Sequence, residues 1–330
     1  MSLRQKIQDS LQSLVAKLIV PKMFAWENHI KGKEGAIAGT PRSANRFNIL
    51  EESFRLTGDH PQLPGFPNSL PHVLGSVRNI RRSVFETDRN PTNGKTRISS
   101  AELDELKAYA KQIGVDEIGF ATVPQEWVFQ QTAILYSHAI VLVWEMDKAR
   151  MNLAPNPDTA VMVHETYNEL GVASNKIANW LRERGFASHA GHPLNGMALY
   201  PPLAEKAGLG GRGISGLLLT PRFGPRVRLA AVFTEIENFP VYAGEGHDWV
   251  MDYCEMCHRC VKDCPPQAFY DEPIRHENGL VTVLDNNKCF PFFAQNHGCS
   301  ICIKVCPFHQ DSYENLKAKL RPEEAVAVPA

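Results

Sequence analysis

The distribution of cysteine is the feature that most constrains how this chain can fold. All eight cysteines of the 330-residue chain lie between Cys254 and Cys306, so the long portion before Cys254 contains none. Disulfide frameworks belong to small secreted domains, whereas thiols crowded into one end of a longer chain are typical of metal ligation. The pattern therefore predicts a metal-binding module that follows a large cysteine-free portion.

The spacing of the cysteines identifies the kind of metal centre. The first group ends in a Cys-Pro dipeptide and has the C-x2-C-x2-C-x3-C-P spacing of bacterial ferredoxins, in which the fourth cysteine ligates the other cluster. A zinc site of two Cys-x2-Cys pairs leaves both Cys-Pro dipeptides unexplained. Exchange of the fourth cysteines predicts one [4Fe–4S] cluster on Cys254, Cys257, Cys260 and Cys306, and a second on Cys264, Cys289, Cys299 and Cys302.

Composition excludes several classes of protein. The formal net charge is −1, which argues against a dedicated nucleic-acid binder. No run of the sequence approaches the roughly 20 apolar residues that span a bilayer, and the N-terminus lacks the apolar core of a secretory signal. We expect a soluble, cytoplasmic protein with no membrane span and no nucleic-acid partner.

The charge is unevenly distributed along the chain. Residues 1–100 carry a net charge of +7 and the remainder −8. A solvated basic face and a docking face for an acidic redox partner or an anionic ligand are both consistent with this asymmetry.

Changes in residue composition divide the chain into four parts. We expect an N-terminal amphipathic helix, from Met1 to about Gly32, and then a loop-rich segment with short helices that wraps another body. Strands that alternate with helices from Ser99 onward predict an α/β (α+β) layer. The expected boundaries are 1–98 for the wrapping segment, 99–245 for the α/β domain, 246–320 for the iron–sulfur module and 321–330 for a tail.

Individual elements of the α/β domain can be placed from local signals. Ser99 and Glu102 form a capping box that starts a helix ending near Gly114. A long amphipathic helix is expected from Asp158 to Arg184. Apolar runs of strand length lie at 117–122, 139–144, 215–220 and 227–235.

A glycine-rich segment, Lys206–Arg228, is the most unusual stretch outside the cysteine module. Its glycines indicate that backbone closely approaches another group. The segment is not a dinucleotide fingerprint, because an apolar strand-like run follows the glycines instead of preceding them. It is not a Walker loop, because no Gly-Lys-Ser/Thr closes it.

This segment, together with the set-back Cys289, resembles the cobalamin-dependent reductive dehalogenases. The resemblance covers about residues 100–310 and is carried by Ala207–Gly210, Leu218–Arg228 and the two-cluster module. It implies a nitroreductase-like cobalamin-binding domain that holds a base-off corrinoid beside a C-terminal ferredoxin-like domain. The residues expected at the corrinoid are Ala207, Gly208, Leu209, Gly210 and Gly211. The chain departs from the family where Gly211 replaces a glutamate and Ile214 an arginine.

The resemblance also implies the catalytic residues. The family is thought to use a tyrosine as proton donor, with a basic residue that stabilises its anion. Tyr167 is the expected acid and Tyr200 the reserve; Arg228 is the expected partner and Arg226 its reserve. Asn195 resembles the family's pocket asparagine. These assignments predict that Tyr167 lies close to an arginine, because an unperturbed tyrosine, with a pKa near 10, is a poor acid.

Three functions are consistent with these observations. The expected one is a soluble reductive dehalogenase that cleaves a carbon–halogen bond of a small organohalide with electrons from a separate ferredoxin or flavodoxin. The alternatives are an epoxyqueuosine-reductase-like enzyme that acts on a modified tRNA base, and an electron-transfer iron–sulfur protein without its own substrate. The near-neutral charge and the lack of a Gly-Lys after the glycine turn count against the tRNA enzyme.

Overall fold

A computed structural model of the chain describes residues 25–47, 52, 64–240, 242 and 246–320. Most of the expected N-terminal helix, and the tail at 321–330, lie outside the described residues. Residues 25–31 are helical, which agrees with a helix that ends near Gly32. In the described ranges no helix is both long and apolar enough to cross a membrane.

The described residues form a mixed α/β fold. The strands are β1 Ile37–Ala38, β2 Glu117–Thr122, β3 Ala133–Ile134, β4 His138–Glu145, β5 Ser188–Ala190, β6 Gly211–Arg212, β7 Leu218–Leu219, β8 Val227–Thr234, β9 Phe269–Arg275 and β10 Val281–Leu284. The helices are α1 Leu70–Phe85, α2 Ser100–Gln112, α3 Lys148–Asn152, α4 Pro157–Glu183, α5 Tyr200–Lys206, α6 Trp249–Cys257, α7 Arg259–Lys262, α8 Asn286–Gln295, α9 Ile301–Lys304, α10 Pro307–Gln310 and α11 Tyr313–Leu320.

A four-stranded sheet of order β2-β4-β8-β5 forms the centre of the α/β portion, and all of its neighbours are antiparallel. Strand β4 (HAIVLVWE) is apolar on both faces because each face carries a hydrophobic core. Consecutive residues of this strand point to opposite faces, and both Leu142 and Val143 are fully buried. The expected strands at 117–122, 139–144 and 227–235 are confirmed to within one residue at each end.

Helix α4 packs across one face of this sheet and supplies six buried residues of that core: Leu170, Ala173, Ile177, Ala178, Trp180 and Leu181. It starts where the Asn156 side chain accepts a hydrogen bond from the Asp158 N–H, with Pro157 in the first turn. Leu170, Ile177 and Leu181 recur on its buried face at helical spacing. The helix predicted over 158–184 is confirmed, as is the capping box of α2.

Two expectations were wrong. The segment before Ser99 contains the 16-residue helix α1, which is not short and which packs against α4. Its buried face includes Ser76, Asn79 and Ser83, so the apolar periodicity that would reveal it is masked by polar residues. The expected strand at 215–220 shrinks to β7, because Gly216 adopts a φ of 75° in a turn.

Candidate active site and iron–sulfur centre

The first set of four thiols surrounds a cavity at the end of α6. The cavity is lined by Cys254, Cys257, Cys260 and Cys306, as the exchange of fourth cysteines predicts. The thiol of Cys306 interacts electrostatically with the other three, although it lies in the second cysteine run. Trp249, Phe308 and Tyr313 form an aromatic cluster behind this group.

The second set of thiols also converges. Cys289 interacts electrostatically with Cys264 and Cys299, and Cys302 interacts with these three and also with Cys260 of the first set. The cysteine that ends the first run, Cys264, thus lies with the second group. The Ala268 N–H donates a hydrogen bond to the Cys264 sulfur at 3.4 Å. Cys302 also contributes to an apolar cluster with Met146 and Met162, which anchors this group on the α/β portion.

The chemistry of these thiols suits iron. Burial raises the pKa of Cys254 and of Cys302 to about 12, so neither ionises near neutral pH without a bound cation. In the described part of the chain, no three His, Cys, Asp or Glu side chains lie close enough to hold one metal ion. Four thiols spaced around a cavity are the donor set of a [4Fe–4S] cubane.

Tyr167 and Arg228 meet above the sheet. Tyr167 lies in the N-terminal half of α4, and Arg228 lies near the start of β8, opposite Trp144 of β4. The guanidinium carbon of Arg228 stands 4.6 Å from the centroid of the Tyr167 ring. Among the described residues the Arg228 Nε is buried and has no hydrogen-bond partner. The expected pair is therefore brought together, with one donor of the arginine uncommitted.

A histidine that the sequence reasoning missed lies beside this pair. His164 precedes Tyr167 by three residues, so both side chains lie on one face of α4, with ring centroids 6.2 Å apart. Burial, with smaller effects from Arg228 and His72, lowers the pKa of His164 to about 4. His164 is therefore neutral at physiological pH. The i, i+3 spacing from a candidate acid is the signal that could have identified it.

Asn195 occupies different surroundings. Its amide Nδ2 donates to a Glu27 carboxylate oxygen at 2.7 Å, and its Oδ1 accepts from Arg46 at 3.2 Å. Glu27 and Arg46 form an ion pair that is largely buried. In the described residues the Asn195 side chain thus bonds to the N-terminal portion and not to Tyr167 or Arg228.

The two reserve residues have other roles in this structure. Burial raises the pKa of Tyr200 strongly, and its hydroxyl is enclosed near Gly191. Arg226 is buried, pairs with Glu145 and donates to the Met146 carbonyl at 3.1 Å. Both residues are enclosed in the fold around the sheet, whereas Tyr167 and Arg228 are only half-buried.

The backbone of the glycine segment packs closely against other parts of the protein. A Cβ at Gly210 would lie 2.3 Å from the Leu219 carbonyl oxygen, and one at Gly211 would lie 2.8 Å from the His247 carbonyl oxygen and from Val250 Cβ. Ala207, Leu209, Gly210 and Gly211 are buried. These residues do not form an open cradle for a corrinoid in this structure. Corrinoid binding at 207–211 therefore stays a prediction.

The segment instead joins the sheet domain to the cysteine module. A Cβ at Gly213 would lie 3.0 Å from the Cys254 sulfur, and Ile214 is buried in the apolar cluster behind Cys254. The Arg212 backbone N–H and side chain both bond to Glu205. The departures from the family pattern at Gly211 and Ile214 are thus positions where the module packs closely.

Comparison with known proteins finds relatives of this chain among proteins named as reductases. No protein-family model matches the chain. The tetrachloroethene reductive dehalogenase of Dehalobacter restrictus is 30% identical over 242 residues, which is 69% of this chain and 42% of that protein. The corresponding enzyme of Sulfurospirillum multivorans is 31% identical over 181 residues, or 52% of this chain and 35% of that protein.

A solved structure of a catabolic reductive dehalogenase superposes with a TM-score of 0.63 at 18% identity, covering 85% of this chain and 42% of that one. An epoxyqueuosine reductase of Listeria monocytogenes is 28% identical over 134 residues, 38% of this chain and 34% of that protein. The chain shares a mixed α/β fold with that catabolic dehalogenase, and the sequence relatives named above are reductases. By sequence the chain is a relative of the reductive dehalogenases and, over a shorter stretch, of the epoxyqueuosine reductases. The chain spans about two fifths of the length of these tetrachloroethene reductive dehalogenases.

Proposed function

We propose that the chain is a reductive dehalogenase that replaces the halogen of a small organohalide by hydrogen. The reaction consumes two electrons and one proton, and it releases a halide ion. The observation that carries the proposal is the Tyr167–Arg228 pair, in which a phenol that can donate the proton lies under a fixed cation.

Tyr167 is the proposed proton donor. Arg228 stays charged and is held 4.6 Å from the ring, so it stabilises the phenolate that remains when the proton has left. Its unpartnered Nε can bond to the phenolate oxygen or to the substrate. General acid catalysis of this kind contributes about 10²–10⁴-fold to a rate.

The eight cysteines are the proposed ligands of two [4Fe–4S] clusters, each of which transfers one electron at a time. The thiol groups fit this role because each set of four includes one cysteine from the other run. The family resemblance further supports a base-off corrinoid, which would supply the metal that attacks the carbon–halogen bond. Residues 207–211 present no open surface to it, so we derive no step through the corrinoid.

We further propose that a separate ferredoxin or flavodoxin in the cytoplasm supplies the electrons. Direct reduction of the purified protein by a nicotinamide would contradict this proposal. The domain boundaries that we propose remain those of the sequence, with the cysteine module starting near residue 246.

The related epoxyqueuosine reductases make tRNA the main alternative substrate. The other alternative is an electron carrier without its own substrate. It does not explain why the Arg228 Nε is buried without a partner among the described residues, beside Tyr167.

Anaerobic reconstitution tests the proposal. The protein, loaded with iron, sulfide and cobalamin, is given a chemical reductant and either tetrachloroethene or 3-bromo-4-hydroxybenzoic acid, a ligand of one structural relative. We expect retained corrinoid, two clusters per chain and halide release that Tyr167→Phe abolishes. Halide release that is equal in wild type and Tyr167→Phe would exclude Tyr167 as the acid.

A further inference from the structure

The proton donor must recover its proton from solvent after every turnover. Tyr167 is half-buried, and Arg228 covers one face of its ring. The phenolate is therefore stabilised by a cation that has no proton to give at neutral pH. A second titratable group within reach of Tyr167 could supply the proton that Arg228 cannot.

His164 is positioned for this task. It lies one turn before Tyr167 on the same face of α4, and its ring nitrogens have no hydrogen-bond partner among the described residues. A neutral imidazole accepts a proton on one nitrogen and donates from the other. It can therefore pass a proton without becoming a stable cation beside Arg228.

Titratable groups lie between the neighbourhood of His164 and the surface, and one of them, His72, is close enough to influence His164 electrostatically. His72 of α1, 31% exposed, lies 3.7 Å from the carboxylate of Glu165. Glu165 is also paired with Arg150 of α3. The neighbouring carboxylate of Glu169 has a raised pKa, because of burial and then of repulsion by Glu165. The charged groups that face His164 from other elements are Arg228 on β8 and His72 on α1.

We propose that His164 returns a proton to Tyr167 in each catalytic cycle, with His72 and Glu165 as the route from solvent. In this step the Tyr167 phenolate oxygen takes the proton from one ring nitrogen of His164, and the other nitrogen takes a proton that originates in water. No electron moves, and the net change is the transfer of one proton from solvent to the phenolate. The inference rests on the proposed function for the claim that Tyr167 loses its proton.

The experiment compares a first turnover with steady turnover in the reconstituted holoenzyme. In His164→Phe the first turnover uses the proton already on Tyr167, so its rate stays close to wild type. The steady-state rate is expected to fall by about tenfold or more, and added imidazole to restore it. The matched control is His189→Phe, because His189 is a fully buried neutral histidine elsewhere in the fold.

Steady turnover that is unchanged in His164→Phe would overturn the proposal. So would an equal loss in both phases that imidazole does not reverse, because that result indicates a structural role. If His164→Phe does not fold, His164→Gln replaces it in the same comparison.

A readout that needs no turnover separates this proposal from the proposed function. With 3-fluorotyrosine at position 167, fluorine NMR measures proton exchange at the phenol. We expect exchange to be slowed in His164→Phe and unchanged in His189→Phe, whether or not the wild type releases halide. Equal exchange in both variants would show that His164 does not carry the proton.

Discussion

Arg228 covers the ring of Tyr167 with its guanidinium carbon 4.6 Å from the ring centroid, although the two residues are 61 positions apart in the sequence. The sheet register fixes one partner, because Arg228 lies opposite Trp144 on the central strand. The other is fixed by α4, whose buried face is locked into the core. The pair is thus held by a helix and a strand that are both anchored in the hydrophobic core.

Replacing Arg228 by lysine should impair turnover by about tenfold or more, because a flexible point charge cannot reproduce the fixed planar guanidinium above the ring. Steady-state kinetics of the reconstituted variant test this, with cluster and corrinoid content measured on the same sample. Wild-type kinetics in Arg228→Lys would show that the arginine serves packing alone.

Arg226→Met should act differently, on stability. It leaves the Glu145 carboxylate without its buried partner, and breaking such a pair typically costs about 3–5 kcal/mol; since Glu145 is 37% exposed, the smaller value is expected. Denaturant unfolding of the cluster-loaded protein measures the loss. Stability equal to that of the wild type would contradict the assigned structural role.

Cys306→Ser should remove the cluster shared with Cys254 and spare the one shared with Cys264, although Cys306 belongs to the second cysteine run. Iron analysis and paramagnetic resonance of the reduced protein report which cluster remains. The companion variant Cys264→Ser should have the converse effect. Loss of the second cluster alone in Cys306→Ser would mean that the fourth cysteines do not exchange.

Gly211→Ala should destabilise the contact between the glycine segment and α6. The new Cβ would lie 2.8 Å from both the His247 carbonyl oxygen and Val250 Cβ, and overpacking of this kind costs about 1–3 kcal/mol. Gly32→Ala is the control, because its Cβ would meet nothing closer than 3.4 Å. Equal unfolding midpoints for the two variants would contradict the packing described for Gly211.

Acid should destabilise the fold through its buried histidines. Burial lowers the pKa of His189 and of His192 to about 3, so the unfolded chain binds more protons than the folded one below pH 6.5. Stability is therefore lost as the pH falls from about 6.5 toward 3, by about 2 kcal/mol per histidine at pH 5. The unfolding free energy falls between about pH 7.5 and about pH 5. This fall should be about 2 kcal/mol smaller in His189→Leu than in the wild type. An unchanged fall would show that His189 is not neutral in the fold.

The sequence allowed the thiol groups and the long helix to be predicted, because both are encoded locally. Cysteine spacing fixes which thiols converge, and the caps and apolar period of α4 fix its ends. The position of Asn195 could not be predicted, since its partners Glu27 and Arg46 are brought to it from the distant N-terminal portion. Helix α1 escaped notice because its buried face is rich in serine and asparagine.

The glycine segment shows a different limit. Its glycines indicated a close approach, and the structure contains one, but the approaching groups are His247, Val250 and the sulfur of Cys254. A motif that demands small residues does not by itself say whether a ligand or another part of the chain fills the space.

A comparison of two substrates tests the central claim most directly. The reduced, reconstituted protein is given an organohalide, such as tetrachloroethene, in one assay and epoxyqueuosine-containing tRNA in another, and halide and queuosine are both measured. We predict that halide is released, that this release depends on Tyr167, and that no queuosine forms. Conversion of the tRNA base without halide release would contradict this prediction.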